Sequence, residues 1–229
     1  MTALFLYPPQ TALKRVIAKS RIYDGANAST ALRDRFVAEV DQIIWAHKLA
    51  PETLNLAPTA AVPEIQVFRL TLRGDAMHDD ILRAIDRAVP FPLMFELHSG
   101  DRIQPAAAYK RPSASDGGKW VLSDPLRGDW VSADTPRKPL PVAVSMAALY
   151  DGLLGALMPI AAAAGEDVET RLARLAEIKA KEREIAQLQS RLRRENQFNI
   201  KVTLHGQLAE AQATLDHLKA PIDPGKGTP

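Results

Sequence analysis

Three charged side chains in the N-terminal half come closest to a catalytic arrangement. Glu64 opens a predicted strand, Glu96 lies in a predicted hairpin, and Lys110 ends the second arm of that hairpin. Metal-dependent nucleases use such residues, because carboxylates hold magnesium while a lysine supports the attacking water. They also need an acidic residue two positions before the lysine, where this chain has Ala108. An alanine cannot bind a metal, so strand-end surface charge is favoured over a divergent metal-dependent nuclease.

Other residue types that perform catalysis or bind metals are isolated or missing. The five histidines lack the mutual spacing of a metal site, and there are no cysteines. Nucleophile elbows, phosphate-binding loops and dinucleotide fingerprints do not occur. We therefore predict no catalytic residue, no metal ion and no cofactor, and an enzyme is the less favoured class of protein.

Clusters of basic side chains indicate a second possible activity, which is contact with the phosphate backbone of a nucleic acid. The net charge is only +2, because 29 basic residues nearly cancel 27 acidic ones. Any attraction to DNA must therefore come from local clusters. The candidate nucleic-acid-binding residues form one cluster near the N-terminus and one near the C-terminus: Lys14, Arg15, Lys19 and Arg21, and Arg191, Arg193 and Arg194. For any single cluster, solvated surface charge is the favoured interpretation, and direct nucleic-acid binding is an alternative.

The elements that must position these residues indicate an α+β domain over residues 1–134. Alternating apolar residues predict a strand over residues 64–73, and a helical apolar face follows over residues 79–89. Residues 92–111 predict a hairpin that turns around residues 99–101, with short strands after it. Before these elements, helices are predicted over residues 11–23 and 29–44. The order implies a mixed, largely antiparallel sheet with helices on one face.

The composition changes after this domain. Residues 135–143 are a proline-rich linker, residues 144–220 a helical, coiled-coil-like region, and residues 221–229 a tail predicted to be disordered. Two heptad frames support the helical region. The first frame holds Ile178, Ile185, Leu188 and Leu192, and the second holds Leu204, Leu208, Ala211, Leu215 and Leu218.

The two frames do not join, and the mismatch falls in the stretch QFNIKVTLHG over residues 197–206. Phe198, Ile200, Val202 and Leu204 alternate with polar residues, which is typical of a strand. Good i, i+4 pairs favour a helix instead. We predict either a stutter in one helix or a turn between antiparallel helices.

Several segments together resemble an uncharacterised prokaryotic family, domain of unknown function 4391. The resemblance lies in LYPPQTALKRVIAKSRIYDGAN, FVAEVDQIIWAHKLAPETLNL, VPEIQVFRLTL, IDRAVPFPLMFEL and ENQFNIKVTLHGQL, in the same order along nearly the whole chain. It implies a gene neighbourhood of DNA methyltransferases and helicase or restriction-like proteins, in loci for phage defence. It also implies a QFN-x-KV segment, matched here by Gln197, Phe198, Asn199, Lys201 and Val202. We predict that these residues bind a protein partner, with a local turn as the alternative.

Taken together, these observations predict a non-enzymatic accessory or adaptor subunit of a methylase and helicase type restriction or anti-phage assembly. Its partners would be methyltransferase or helicase subunits, or a second copy bound through the C-terminal helices, with DNA contact possible. The N-terminus lacks the basic segment of a signal peptide, and the longest apolar run is interrupted by Asp151, glycines and a proline. We therefore predict no membrane span and a cytoplasmic location, which the absence of cysteines also fits.

Overall fold

A computed structural model describes residues 3–113 and 120–220 of the chain. It divides into two compact units, Met1–Leu157 and Met158–Pro229. The boundary falls after the predicted linker, so residues 135–143 lie inside the first unit. The tail that was predicted to be disordered, residues 221–229, lies outside the described residues.

A mixed sheet forms the centre of the first unit. In the described residues it has seven strands: β2 (Ala12–Val16), β3 (Val40–Leu49), β4 (Ile65–Leu72), β5 (Leu93–Ser99), β6 (Arg102–Ala107), β9 (Leu126–Arg127) and β10 (Val131–Ser132). Their order in the sheet is β10-β6-β5-β4-β3-β2, with β9 paired to β6. The pair β4 and β5 is parallel, and the other neighbours are antiparallel.

Two short ribbons accompany this sheet. In the first, β1 (Phe5–Leu6) pairs in parallel with β11 (Lys138–Pro139), and a 3-10 turn (Pro9–Thr11) leads from β1 to β2. In the second, β7 (Lys110–Pro112) pairs antiparallel with β8 (Trp120–Leu122). The ribbon of β1 and β11 pairs the first few residues of the chain with a segment more than a hundred residues later.

Three helices of the first unit, which contain Ile22, Phe36 and Ile81, pack against one face of the sheet and enclose the main core with it. The helices of the first unit are α1 (Lys19–Ala26), α2 (Thr30–Glu39), α3 (Pro51–Leu54), α4 (Asp79–Ala88) and α5 (Met146–Gly155). Phe36 of α2 and Ile81 and Ile85 of α4 pack with Phe68 and Phe95 of the sheet. The strand at 64–73, the helix at 79–89 and the hairpin at 99–101 are confirmed, and so is the mixed, mostly antiparallel sheet.

The early helix predictions were partly wrong. Residues 12–16 form a strand, and α2 ends at Glu39 where β3 begins. The buried residues of β3 are Val40, Ile43, Ala46 and Leu49, a spacing of three that imitates a helical stripe. Shifts in register against β4, between Val40 and Gln42 and between Trp45 and His47, create that spacing. A bulge inserts one extra residue into a strand, so the strict alternation of side chains is lost.

The second unit is a helical hairpin made of α6 (Val168–Arg194) and α7 (Phe198–Lys219). Members of both heptad frames, from Ile178 and Ile185 to Leu204 and Leu215, meet in one apolar cluster. The helices are antiparallel, because Lys219 near the end of α7 contacts Glu182 in the first half of α6, with Nζ and Oε1 2.7 Å apart. A turn between antiparallel helices is therefore confirmed, whereas coiled-coil supercoiling stays a prediction. No helix in the described residues is long and apolar enough to cross a membrane.

Candidate functional site

The predicted partner-binding residues lie at the tip of the helical hairpin, defined here as residues 191–202. After α6 ends at Arg194, the Glu195 side chain accepts hydrogen bonds from the backbone N–H groups of Asn196 and Gln197, each at 2.8 Å. These two bonds lower the pKa of the Glu195 carboxyl. They also hold the link in a fixed turn, so α7 begins at Phe198.

Two large apolar side chains at the tip are uncovered. Phe198 is 82% exposed and Val202 is 56% exposed. They are four residues apart in one helix and therefore lie on the same side of α7. Of the other predicted partner-binding residues, Gln197 and Asn199 are exposed and Lys201 is partly exposed. Single exposed apolar residues are ordinary, but an adjacent aromatic and aliphatic pair is a feature of binding surfaces.

The C-terminal basic cluster belongs to the same tip. Arg191, Arg193 and Arg194 occupy the last turn of α6 and are exposed. The negative end of the helix dipole also stabilises cations in this position. Arg191 borders a groove of about 430 Å³ between the two helices, together with Lys181, Glu184, Gln187, Leu188, Gln207, Glu210, Ala211 and Thr214. The tip therefore combines positive charge with exposed apolar surface.

The N-terminal basic cluster is divided between surface and structural positions. Lys14 and Arg15 lie on the exposed strand β2, and Arg21 is exposed on α1. Lys19 is different, because its Nζ donates hydrogen bonds to the carbonyls of Phe36, at 3.2 Å, and Val40. Those carbonyls end α2, so Lys19 caps that helix. Burial, and then the charge of Arg73, lower the pKa of Lys19.

The three residues of the nuclease alternative have separate partners. Glu64 pairs with Lys48, with Oε2 and Nζ 3.1 Å apart. Glu96 pairs with Arg137, and Lys110 contacts the end of α4. Phe95 and Leu97 belong to the core beneath the helices, so the alternation of β5 directs Glu96 to the opposite face of the sheet. The described residues contain no group of three or more His, Cys, Asp or Glu side chains able to hold a metal ion.

Glu96 is the centre of a polar cluster that sequence reasoning missed. Its carboxylate accepts hydrogen bonds from both terminal nitrogens of Arg137, at 2.5 and 3.0 Å, and Arg137 also donates to the Phe5 carbonyl at 2.9 Å. His98 Nε2 lies 3.6 Å from Glu96 Oε2, beyond hydrogen-bond length. Burial alone would raise the pKa of Glu96, but the polar contacts of His98 and Arg137 lower it to about 2. The Glu96 carboxylate is therefore ionised and fastens β11 and β1 to the sheet.

Two further polar side chains, Arg69 and His47, lie near this pair. Arg69 stands opposite Glu96 in the parallel ladder, and its buried Nε has no partner in the part of the chain that is described. His47 packs on the Tyr7 ring with centroids 4.7 Å apart, and its Nδ1 is 2.9 Å from Thr11 Oγ1. Burial lowers the pKa of His47, so its imidazole is neutral at pH 7.

A second buried charged group lies at the end of α4. Lys110 Nζ donates hydrogen bonds to the carbonyls of Asp86 and Val89, while the Tyr150 hydroxyl accepts from the Lys110 backbone N–H at 3.1 Å. Asp86 is 1% exposed, and neither of its carboxylate oxygens has a hydrogen-bond partner among the described residues. Burial raises the pKa of Asp86 to about 7 and lowers that of Lys110 to about 8. Asp86 falls on the apolar stripe of its helix, between Leu82 and Val89. This position could have identified Asp86 as a buried acid from the sequence.

These elements define a mixed α/β domain with a separate helical hairpin, whose exposed candidate site is the tip of that hairpin. The chain belongs to the family described as domain of unknown function (DUF4391), whose model matches residues 5–215. No curated protein matches the chain. No solved structure matches it either.

Proposed function

We propose that this chain is a non-enzymatic accessory or adaptor subunit of a prokaryotic DNA methylase and helicase type assembly, acting in restriction or defence against phage. The exposed pair Phe198 and Val202 at the hairpin tip carries the proposal. The family of the chain implies a gene neighbourhood of methyltransferases and helicases, and this expected neighbourhood supplies the kind of assembly. The partner is a protein subunit that is bound through the C-terminal hairpin.

The chemistry of the tip supports a protein partner with an apolar pocket and an acidic rim. Phe198 and Val202 would gain about 1.5–3 kcal/mol each from full burial. Arg193, Arg194 and Lys201 lie within nine residues of both side chains and are all at least partly exposed. Aromatic anchors with arginines nearby are the residues that most often dominate protein interfaces.

The contacts of the other charged groups support a structural role more than a catalytic one. Glu96 is neutralised by Arg137, and Lys110 is held by two backbone carbonyls. A metal-dependent nuclease would need Glu96 and Lys110 on the same side of the sheet, close enough to act on one magnesium ion. Their partners lie on opposite faces, so the nuclease alternative has little geometric support.

Copurification from the native host tests the adaptor proposal. Tagged wild-type chain should retain methylase or helicase subunits at moderate salt, and the double variant Phe198→Ala/Val202→Ala should lose them. The matched control is Val37→Ala, because Val37 is also an exposed valine, at 61%, but lies in the first unit. Equal retention by all three proteins would show that the tip does not bind these subunits, and capture of none by the wild type would refute the adaptor proposal.

The exposed arginines favour a second candidate function, which is direct binding of nucleic acid. Arg191, Arg193 and Arg194 place three cations in one helical turn. If they contact phosphates, the logarithm of affinity should fall steeply with the logarithm of salt concentration, and Arg193→Gln/Arg194→Gln should reduce the slope by about 2. Affinity that does not change with salt would exclude this function.

A further inference from the structure

The groove on one flank of the helical hairpin has the dimensions of a helix-binding surface. It has a volume of about 430 Å³, and residues of α6 from Lys181 to Arg191 line one wall. This ten-residue span corresponds to about 15 Å, or nearly three turns, along the helix axis. Leu188 and Ala211 lie at the floor, because both are buried in the contact between α6 and α7. The groove therefore suits the side of one further helix.

Two charged side chains face each other across this groove. Lys219 of α7 lies beside Glu182 of α6, with Nζ and Oε1 2.7 Å apart. Because the helices are antiparallel, nine residues further along α6 and nine residues back along α7 bring Arg191 beside Glu210. Both side chains line the groove, yet no ion pair joins them among the residues that the structure describes. Their charges are therefore available to groups of another molecule.

The remaining lining of the groove is paired or uncharged. Lys181 and Glu184 lie one turn apart on α6 and pair with each other, with Nζ and Oε2 2.7 Å apart. The other polar side chains are Gln187, Gln207 and Thr214. The groove thus offers an occupant one positive charge and one negative charge on opposite walls. A protein helix with an acid and a base on its two flanks complements both charges, whereas a nucleic-acid strand carries negative charge alone.

We propose that one helix of the partner subunit lies in this groove. Its acidic side chain faces Arg191, its basic side chain faces Glu210, and its apolar side chains pack on the floor between them. This inference rests on the proposed function and deepens it, because it gives the secondary structure and the charge pattern of the partner's binding segment. Opposite charges placed across an interface fix the register of the bound helix and disfavour helices with like charges in those places.

Photo-crosslinking tests the contact directly, since the natural chain has no cysteine to compete for the label. Full-length Gln207→Cys, labelled with a benzophenone maleimide and added to an extract of the native host, should cross-link to a methylase or helicase subunit. Gln212→Cys is the matched control, because Gln212 is an exposed glutamine of α7 outside the groove, and it should cross-link at least tenfold less. Equal cross-linking from both positions, or cross-linking to a second copy of this chain alone, would overturn the proposal.

Charge reversal tests the chemistry of the groove in the copurification assay. Arg191→Glu and Glu210→Lys should each weaken retention of the partner by about tenfold or more, because like charges then meet across the interface. Neither charge has an ion-pair partner among the described residues, so both variants should keep the helical content of the wild type in circular dichroism. Arg183→Glu is the matched control, because Arg183 is exposed on α6 outside the groove, and it should leave retention unchanged.

The outcomes separate this inference from the proposed function. If both groove variants retain the partner while Phe198→Ala/Val202→Ala loses it, the helix in the groove is refuted and the adaptor proposal stands. If the wild type retains no methylase or helicase subunit, the adaptor proposal fails and the helix in the groove fails with it.

Discussion

The ion pair of Arg137 and Glu96 allows a prediction in which the pH dependence of stability reverses. Arg137→Met removes both hydrogen bonds to the Glu96 carboxylate and the bond to the Phe5 carbonyl. The Glu96 side chain is only 5% exposed, so its charge would remain buried without a counter-charge. Removing one partner of a buried pair typically costs about 3–5 kcal/mol.

The pKa of Glu96 gives a second magnitude, which covers its contacts with His98 and Arg137 together. Its ordinary value of 4.5 falls to about 2 in the folded protein. At 1.36 kcal/mol for each pH unit, this difference corresponds to about 3 kcal/mol of stability. Because the folded pKa is the lower one, that stability is present above pH 4.5 and is lost as the pH falls towards 2. In Arg137→Met, burial dominates and raises the pKa of Glu96, so stability is instead lost as the pH rises.

Urea unfolding followed by tryptophan fluorescence measures this difference. Trp45, Trp120 and Trp130 all lie in the first unit, so the signal reports that unit alone. We expect a small loss of unfolding free energy for Arg137→Met at pH 3 and a loss of about 3 kcal/mol at pH 7. Adding Glu96→Gln should restore most of the loss at pH 7. A loss that is equal at both pH values would refute the assignment of Glu96 as an ionised, arginine-paired carboxylate.

Three further predictions concern Lys110, Asp86 and Gly206. Lys110→Met should cost about 3–5 kcal/mol of unfolding free energy at pH 8 and less at pH 5, where Asp86 is protonated, as measured in urea. Because burial raises the pKa of Asp86 to about 7, its contribution to wild-type stability falls as the pH rises to 7; Asp86→Asn should lack this slope in the same assay. Gly206→Ala should stabilise α7 by about 1 kcal/mol in thermal melts followed by circular dichroism, because a Cβ atom at this exposed position meets no atom within 4 Å.

Regular elements of the fold were predictable wherever burial followed one simple period. Strand β4 alternates between buried and half-buried residues from Phe68 to Leu72, helix α4 buries one face, and both were found at nearly the right residues. Strand β3 was missed because its bulges place buried residues three apart, a spacing that a linear pattern cannot distinguish from a helix turn. The segment 135–143 was interpreted as a linker because of its prolines. Its ordering comes from the Arg137 side chain and from the pairing of β11 with β1.

The charged sites show a different limit of sequence reasoning. Lys19 and Lys110 both donate hydrogen bonds to backbone carbonyls at the end of a helix. In each case the lysine lies outside that helix and is distant from its end in sequence. Local spacing cannot reveal such a partner, because the acceptor is a backbone carbonyl that every residue carries. Lys19 therefore looked like one more member of a basic cluster, and Lys110 like the lysine of a nuclease. The buried Asp86 was detectable, since an aspartate on an apolar helical stripe needs an explanation.

The alternation in QFNIKVTL has a physical cause in the geometry of α7. Residues two apart on a helix lie about 200° apart, so they point to nearly opposite sides. Phe198 and Val202 are exposed, whereas Ile200 and Leu204 pack against α6. A helix that is apolar on both sides therefore shows the period of two that is typical of a strand. Such a helix needs cover on both faces, and α6 supplies only one cover. The same residues that imitate a strand thus leave a second apolar surface exposed on α7, and copurification with Phe198→Ala/Val202→Ala tests whether that surface binds a partner.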